Sequence, residues 1–193
     1  MTSMMYNEQV IQAIAQVLIK QQQTIAVAES VSAGHLQVAL ASAENASKFF
    51  QGGITAYNLG QKSRHLKVEP IHAEGCNCVS DKVAIEMALE VTRLFSCDWG
   101  IAITGYAAPV PEYSIDDLFA YYAILFQQKL LAVKKIKAEK NDPMKVQVFY
   151  VNNILTDFQR LLEHQSSFSN SDLNSTSSRF ASAGPFNTSP STE

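Results

Sequence analysis

The chain alternates short apolar runs of strand length with longer segments whose apolar residues recur at helical spacing. The runs that predict strands lie at residues 24–28, 53–57 and 99–104. The segments that predict helices lie at residues 7–20, 36–43, 58–66 and 80–95. Strands that are separated by helices tend to pair in parallel within one sheet, so this order is typical of an α/β protein.

The second half of the chain departs from this alternation. Residues 118–126 and 130–137 both resemble strands and are separated only by a short polar stretch, which predicts a hairpin. A final helix is predicted from N-D-P at residues 141–143, although residues 146–151 could also form a strand. A hairpin joined to parallel strands predicts a mixed sheet. We therefore expect a single-domain, three-layer α/β/α sandwich.

The composition changes after Leu162. Residues 164–193 are rich in Ser, Asn and Thr, and their few apolar residues follow neither a helical nor a strand period. Such a segment cannot bury enough apolar surface to offset the entropy of ordering it. We therefore expect a folded domain over residues 7–163 and a disordered tail over residues 164–193, unless the tail folds upon a partner.

The overall charge excludes some classes of function. Of the 193 residues, 47% are hydrophobic and 17% are charged, and the net charge is -3. An acidic balance argues against a nucleic-acid surface and against a polybasic membrane-binding patch. No apolar run approaches the roughly 20 residues of a membrane helix, and the first residues lack the pattern of a signal peptide. These features predict a cytoplasmic protein without nucleic-acid or membrane partners.

The cysteines do not predict a metal centre. Cys76 and Cys78 form a C-x-C pair with His72 upstream, but zinc sites use C-x₂-C spacing and no second pair of ligands follows. With Cys97 the chain has three cysteines, too few for a disulfide framework at this length. We expect buried or partly buried thiols and no metal ligands.

The turn after the first predicted strand is the first candidate site. It reads A-E-S-V-S-A-G at residues 28–34 and leads into a helix. Small residues at a helix N-terminus expose N–H groups that suit a phosphate or a carboxylate. Ser30, Ser32 and Gly34 are therefore candidate substrate-binding residues, and the alternative is that either serine only caps the helix.

Ser47, Tyr57 and Lys62 form the second candidate set. Ser47 precedes the second predicted strand, Tyr57 ends it, and Lys62 lies in the helix that follows. A serine becomes a strong nucleophile when a base takes its proton, and a lysine serves as that base if burial leaves its amine neutral. A nearby tyrosine can share the proton. The alternative is that all three are ordinary surface residues.

The loop after the predicted strand at residues 99–104 is the third candidate. In open α/β sheets, ligands bind beyond the carboxyl ends of the strands, so this loop and the turn at residues 28–34 can face one crevice. Thr104, Gly105 and Ala107 are therefore candidate substrate-binding residues. The loop could equally be a routine connection.

Taken together, these segments resemble the C-terminal domain of the CinA protein, the nicotinamide-nucleotide amidohydrolase family. The family motif A-E-S-C-T-G-G resembles residues 28–34. A family serine, a tyrosine ten residues on and a lysine five beyond that resemble Ser47, Tyr57 and Lys62.

Two further segments are similar to the same family. The family's G-A-V-S helix start resembles N-C-V-S at residues 77–80, and its G-I-A-G-P-x-G-G loop resembles G-Y-A-A-P-V-P at residues 105–111. The resemblance extends over residues 7–162 and implies the family's fold.

The resemblance implies hydrolysis of nicotinamide mononucleotide to nicotinic acid mononucleotide and ammonia. Ser47 would attack the carboxamide carbon, Lys62 would transfer protons and Tyr57 would assist, giving an acyl-enzyme that water resolves. No cofactor or metal is implied. The implied partners are a small-molecule nucleotide substrate and further copies of the chain in a homo-oligomer.

One segment departs from the family in a way that bears on the substrate. The family's G-D-R-x-x-V-R supplies arginines that suit a substrate phosphate, whereas residues 141–147 read N-D-P-M-K-V-Q. Pro143 and Gln147 replace the arginines, and Lys145 does not reproduce the two-pronged contact of a guanidinium with phosphate. The alternative function is therefore a family member that has lost catalysis and binds a nucleotide or a partner.

Overall fold

The structure, a computed structural model, describes residues 5–180, with side chains over residues 5–165. The chain divides into two units, the first ending at Gln159 and the second beginning at Arg160. The first unit contains every strand described and all the candidate site residues, and the second contains the C-terminal part of the last helix.

Among the described residues, five strands form one sheet in the order β2-β1-β3-β4-β5. They are β1 (Ile25–Glu29), β2 (Phe50–Thr55), β3 (Trp99–Gly105), β4 (Leu118–Phe126) and β5 (Lys129–Ala138). Strand β1 pairs in parallel with β2 and β3, whereas β4 runs antiparallel to β3 and β5. The predicted mixed sheet and the predicted hairpin are confirmed.

Six helices lie in the described part of the chain: α1 (Glu8–Gln21), α2 (His35–Ala41), α3 (Leu59–Leu66), α4 (Pro70–Gly75), α5 (Asp81–Leu94) and α6 (Pro143–Phe180). Helices α1, α3 and α5 each begin at a short polar capping side chain. Asn7, Asn58 and Ser80 each accept the N–H of the residue three positions further on. This bond satisfies a donor that the first turn of a helix otherwise leaves open.

Helices cover both faces of the sheet. On one face α5 packs against small side chains of the central strands, and the buried cluster includes Ala26, Ala28, Ala102, Val83, Met87 and Val91. On the other face the Trp99 ring contacts Phe158 of α6 at 5.0 Å between centroids. The N–H of Asn7, at the start of α1, donates to the side chain of Asn152 in α6. The expected three-layer sandwich is therefore confirmed.

Some elements differ from the sequence-based expectations. Residues 146–151 belong to α6 and not to a strand. Helix α4 was not predicted, although Pro70 is its first residue and the Glu69 carboxylate accepts the N–H groups of Ile71 and His72 at 2.8 Å. Strand β2 spans Phe50–Thr55, so it begins and ends earlier than the predicted strand at residues 53–57.

The last helix passes the predicted domain boundary at Glu163, since α6 runs to Phe180. Residues 181–193 of the predicted tail lie outside the described residues, and the boundary itself stays a prediction. No helix in the described part of the chain combines the length and the apolar character that crossing a membrane requires.

Candidate functional site

Three segments meet at the carboxyl edge of the parallel strands. Ser30 follows the last residue of β1, Tyr57 lies just beyond β2, and Gly105 ends β3. The N–H of Ser30 donates to the carbonyl of Ile103 at 3.0 Å, which fixes the turn after β1 against β3. Ligands of open α/β sheets bind at this edge, so the topology itself identifies the candidate site.

The side-chain amine of Lys62 lies at the centre of this edge. Lys62 is 1% exposed, and its Nζ donates to the Oγ of Ser30 at 2.8 Å and to the carbonyl of Tyr57 at 3.2 Å. Burial lowers the pKa of the Lys62 amine below its ordinary value, because a desolvated ammonium loses the hydration that stabilises its charge. A fraction of neutral amine can therefore exist beside the Ser30 hydroxyl at a lower pH than in a free lysine.

The buried carboxylate of Glu29 determines the shape of the turn after β1. One of its oxygens accepts the Ser32 hydroxyl at 2.6 Å and the N–H groups of Gly34 and Leu36 at 3.1 and 3.0 Å. The other oxygen accepts the N–H of Gln37 at 2.9 Å. These are donors of the α2 N-terminus, and an internal carboxylate already occupies them.

Ser32 and Gly34, which were expected to bind substrate, donate to this internal carboxylate instead. Neither residue lines the cavity at the site, whereas Ser30 does. Glu29 was not among the residues expected at the site. Its signal was an acidic residue that ends a strand just before a helix N-terminus.

The position of Ser47 also requires a correction. Ser47 lies in a 3-10 turn at residues 46–48, before β2, is exposed and does not line the cavity. The six residues of β2 span roughly 20 Å at about 3.3 Å per residue, so Ser47 and Tyr57 lie at opposite edges of the sheet. The hydroxyl that contacts Lys62 therefore belongs to Ser30 and not to Ser47.

The loop after β3 lines the same cavity. The buried Thr104 hydroxyl donates to the carbonyl of Cys78 at 2.7 Å and so holds the segment before α5 against the sheet. A Cβ on Gly105 would lie 2.5 Å from the Cα of Ala120, so a side chain does not fit there. Thr104, Gly105 and Ala107, the candidate substrate-binding residues of this loop, all line the cavity.

The cavity has a volume of about 530 Å³ and includes residues that the sequence analysis missed, namely Glu74, Asn77, Cys78, Tyr106 and Tyr113. Asn77 and Cys78 have left-handed backbones, with φ of 48° and 60°. The Asn77 side chain donates to the Tyr106 hydroxyl at 3.1 Å. Left-handed backbone outside glycine is uncommon and is frequent at functional sites, and N-C at residues 77–78 was the only sequence signal for it.

Two residues at the start of α6 also line the cavity, namely Pro143 and Gln147. The side-chain amide of Gln147 donates to the carbonyl of Val31 at 2.9 Å, next to Ser30. Over residues 5–165, no three His, Cys, Asp or Glu side chains lie together in a group that could hold a metal ion.

Comparisons with curated proteins identify relatives of this chain. CinA-like proteins from Rippkaea orientalis and Thermosynechococcus vestitus are 40% identical over 103 residues and 42% identical over 96 residues. These matches cover 53% and 50% of this chain, but 25% and 23% of the relatives. The matched segments therefore span about a quarter of the length of these curated relatives.

Solved structures resemble the fold over most of the chain. A competence-damaged protein (CinA) superfamily protein from Escherichia coli is 28% identical with a TM-score of 0.72, covering 84% of this chain and 92% of that one. A competence damage-inducible protein from Klebsiella pneumoniae is 23% identical with a TM-score of 0.77, covering 82% of this chain and 98% of that one. At that lower identity the likeness concerns the fold alone.

A family model described as the CinA C-terminal domain matches residues 7–162. This range includes the sheet, helices α1 to α5, the first part of α6 and every residue that lines the cavity. The chain belongs to the CinA C-terminal domain family.

Proposed function

We propose that the chain is an amidohydrolase in which Ser30 is the nucleophile and Lys62 is the general base. The observation that carries this proposal is the 2.8 Å hydrogen bond between the Lys62 Nζ and the Ser30 Oγ at the wall of the cavity. A serine hydroxyl is a weak nucleophile until a base removes its proton. A buried amine with a lowered pKa, within hydrogen-bond distance, is a suitable base.

In the acylation step, the Ser30 hydroxyl gives its proton to the neutral Lys62 amine while the Oγ bonds to the carboxamide carbon. The carbonyl electrons move onto the oxygen, which forms a tetrahedral intermediate. When this intermediate collapses, the C–N bond breaks and the Lys62 ammonium returns its proton to the leaving nitrogen. Ammonia departs and an acyl ester of Ser30 remains.

In the deacylation step, Lys62 accepts a proton from water while the water oxygen bonds to the acyl carbon. The ester bond then breaks, and the proton passes from Lys62 to the Ser30 Oγ. The product is a carboxylic acid, and both side chains recover their starting protonation states.

Tyr57 contributes to this scheme through its backbone. Its carbonyl accepts a hydrogen bond from Lys62, which orients the amine, whereas its side chain is 73% exposed at the rim of the cavity. A side chain in that position suits contact with substrate better than proton transfer to Ser30. Ser47 takes no part, because it lies at the opposite edge of the sheet.

Nicotinamide mononucleotide or a related amide is the substrate class that the family resemblance supports. The test is ammonia release from a panel of pyridine carboxamides at millimolar concentration. Ser30→Ala and Lys62→Ala are each expected to lower the rate at least about a thousandfold, as loss of a nucleophile or its base does in serine hydrolases. Ser47→Ala is the matched control and should retain the wild-type rate.

Two results would contradict this proposal. If Ser30→Ala released ammonia at the wild-type rate, the nucleophile would be another residue. If wild-type protein released no ammonia from any amide but still bound a ligand in the cavity, the chain would be a binding module that has lost catalysis.

A further inference from the structure

The charges around the cavity specify a class of substrate. We propose that the substrate is a phosphate-free carboxamide of a cationic pyridinium ring, a nucleoside in place of a nucleotide. This inference rests on the proposed function and specifies the substrate of the same site.

The cavity lacks a cation that could bind a phosphate. Among the described residues that line it, Lys62 is the only cation, and that amine is already bonded to Ser30 and to the Tyr57 carbonyl. A phosphate monoester carries about 1.5 to 2 negative charges at pH 7. If it bound beside Lys62, it would raise the pKa of the amine and keep it protonated, which would remove the base that Ser30 needs.

Two helix N-termini near the cavity, those of α2 and α6, do not compensate for this lack. The donors of α2 are bonded to the Glu29 carboxylate. At the start of α6, Pro143 has no N–H group, and the Asp142 carboxylate accepts the N–H of Met144 at 3.0 Å. At both ends a carboxylate of the chain occupies the place that a phosphate would take, and its charge repels one.

Two tyrosines and one glutamate at the cavity favour a flat cation as the ligand. Tyr57 and Tyr113 both line the cavity and are 73% and 59% exposed, so their rings are accessible from solvent. Glu74, an exposed acidic residue, lines the same cavity. A pyridinium ring can stack on a tyrosine and pair with a carboxylate, whereas a phosphate would be repelled by Glu74.

Ligand binding to Ser30→Ala tests this inference independently of turnover. Calorimetric titration with nicotinamide riboside, which has a cationic ring and no phosphate, should give an affinity at least about tenfold higher than titration with nicotinamide mononucleotide. In the same background, Glu74→Gln should weaken riboside binding about threefold and leave binding of neutral nicotinamide unchanged. Glu44→Gln, an exposed change away from the cavity, is the matched control and should affect neither ligand.

A second variant tests the missing cation directly. Gln147→Arg places a guanidinium at the cavity. It should raise the affinity for the mononucleotide and so narrow the difference in affinity between the two ligands. The inference is overturned if Ser30→Ala binds the mononucleotide as tightly as the riboside, or if it binds neither ligand at millimolar concentration.

The two proposals can fail separately. If wild-type protein hydrolyses the mononucleotide faster than the riboside, the proposed substrate class is wrong, but the proposed hydrolase activity is supported. If Ser30→Ala binds the riboside preferentially while wild-type protein releases no ammonia, the proposed ligand class is supported and the proposed hydrolase activity is wrong.

Discussion

The Nζ of Lys62 lies 2.8 Å from the Oγ of Ser30, although the two residues are 32 positions apart in the chain. Ser30 is placed by the end of β1, and Lys62 by the first turns of α3, whose start Asn58 caps. The contact therefore depends on the parallel pairing of β1 with β2, which brings both segments to one edge of the sheet.

The first prediction concerns the pH dependence of hydrolysis. Because burial lowers the pKa of Lys62 and the base form is the neutral amine, kcat/KM should rise with pH and level off with an apparent pKa below 10.5. The measurement is ammonia release between pH 6 and 11. Lys62→Arg should abolish the activity, since a guanidinium stays charged throughout this range. A flat profile, or a midpoint at or above 10.5, would contradict the role of Lys62.

The second prediction concerns stability. The folded pKa of Lys62 lies below the unfolded value, so between the two the unfolded chain binds more protons than the folded one. The free energy of unfolding of wild-type protein should therefore rise with pH in that window relative to Lys62→Met, by up to about 1.4 kcal/mol per pH unit. Urea unfolding of both proteins from pH 7 to 10.5 measures the difference.

The control for this measurement is Lys48→Met, which removes an exposed lysine. Its stability difference from wild type should stay constant over the same pH range, because water surrounds this amine in the folded as well as in the unfolded chain. If the free energy of unfolding of wild-type protein instead fell with pH relative to Lys62→Met, folding would stabilise the charged form of Lys62, which would contradict the prediction.

The third prediction concerns the carboxylate of Glu29. Glu29→Gln replaces one acceptor oxygen with an NH₂ group that must face the N–H donors of the α2 N-terminus. A buried set of hydrogen bonds broken in this way should cost about 3 kcal/mol of unfolding free energy. Activity should fall as well, because the turn that carries Ser30 loses its support. Glu44→Gln, an exposed change, should alter stability by less than about 0.5 kcal/mol.

Sequence patterns predicted the fold well because burial periodicity is a local property. The apolar runs at β1 and β3 and the capping residue Ser80 each carry their signal within a few positions. The ambiguous residues 146–151 became helix because α6 packs one face of them against the sheet, as the buried Val146, Tyr150 and Val151 show. Such packing depends on residues distant in the sequence.

The candidate site was predicted less well, because it depends on strand direction. Lys62 and Ser30 were both singled out, but Ser30 was assigned to substrate binding and Ser47 was expected to be the partner of Lys62. A residue before a parallel strand lies at the opposite edge of the sheet from a residue after it. Once β2 is known to be parallel to β1, this rule separates Ser47, which precedes β2, from Lys62, which follows it. The short sequence signals at Glu29 and Cys78 did not reveal the roles of these residues, because the donors that Glu29 accepts and the left-handed backbone of Cys78 are set by the folded chain.

The fourth prediction concerns the close approach of α5 to the sheet. A Cβ on Gly100 in β3 would lie 2.0 Å from the Thr92 hydroxyl and 2.6 Å from the carbonyl of Ala88. Gly100→Ala must therefore displace α5 or break the bond between Thr92 and Ala88, and should cost about 2 to 3 kcal/mol in urea unfolding. Gly75→Ala is the matched control, since its Cβ would meet nothing within 4 Å, and it should change stability by less than about 0.5 kcal/mol. Equal effects of the two substitutions would mean that α5 does not pack this closely.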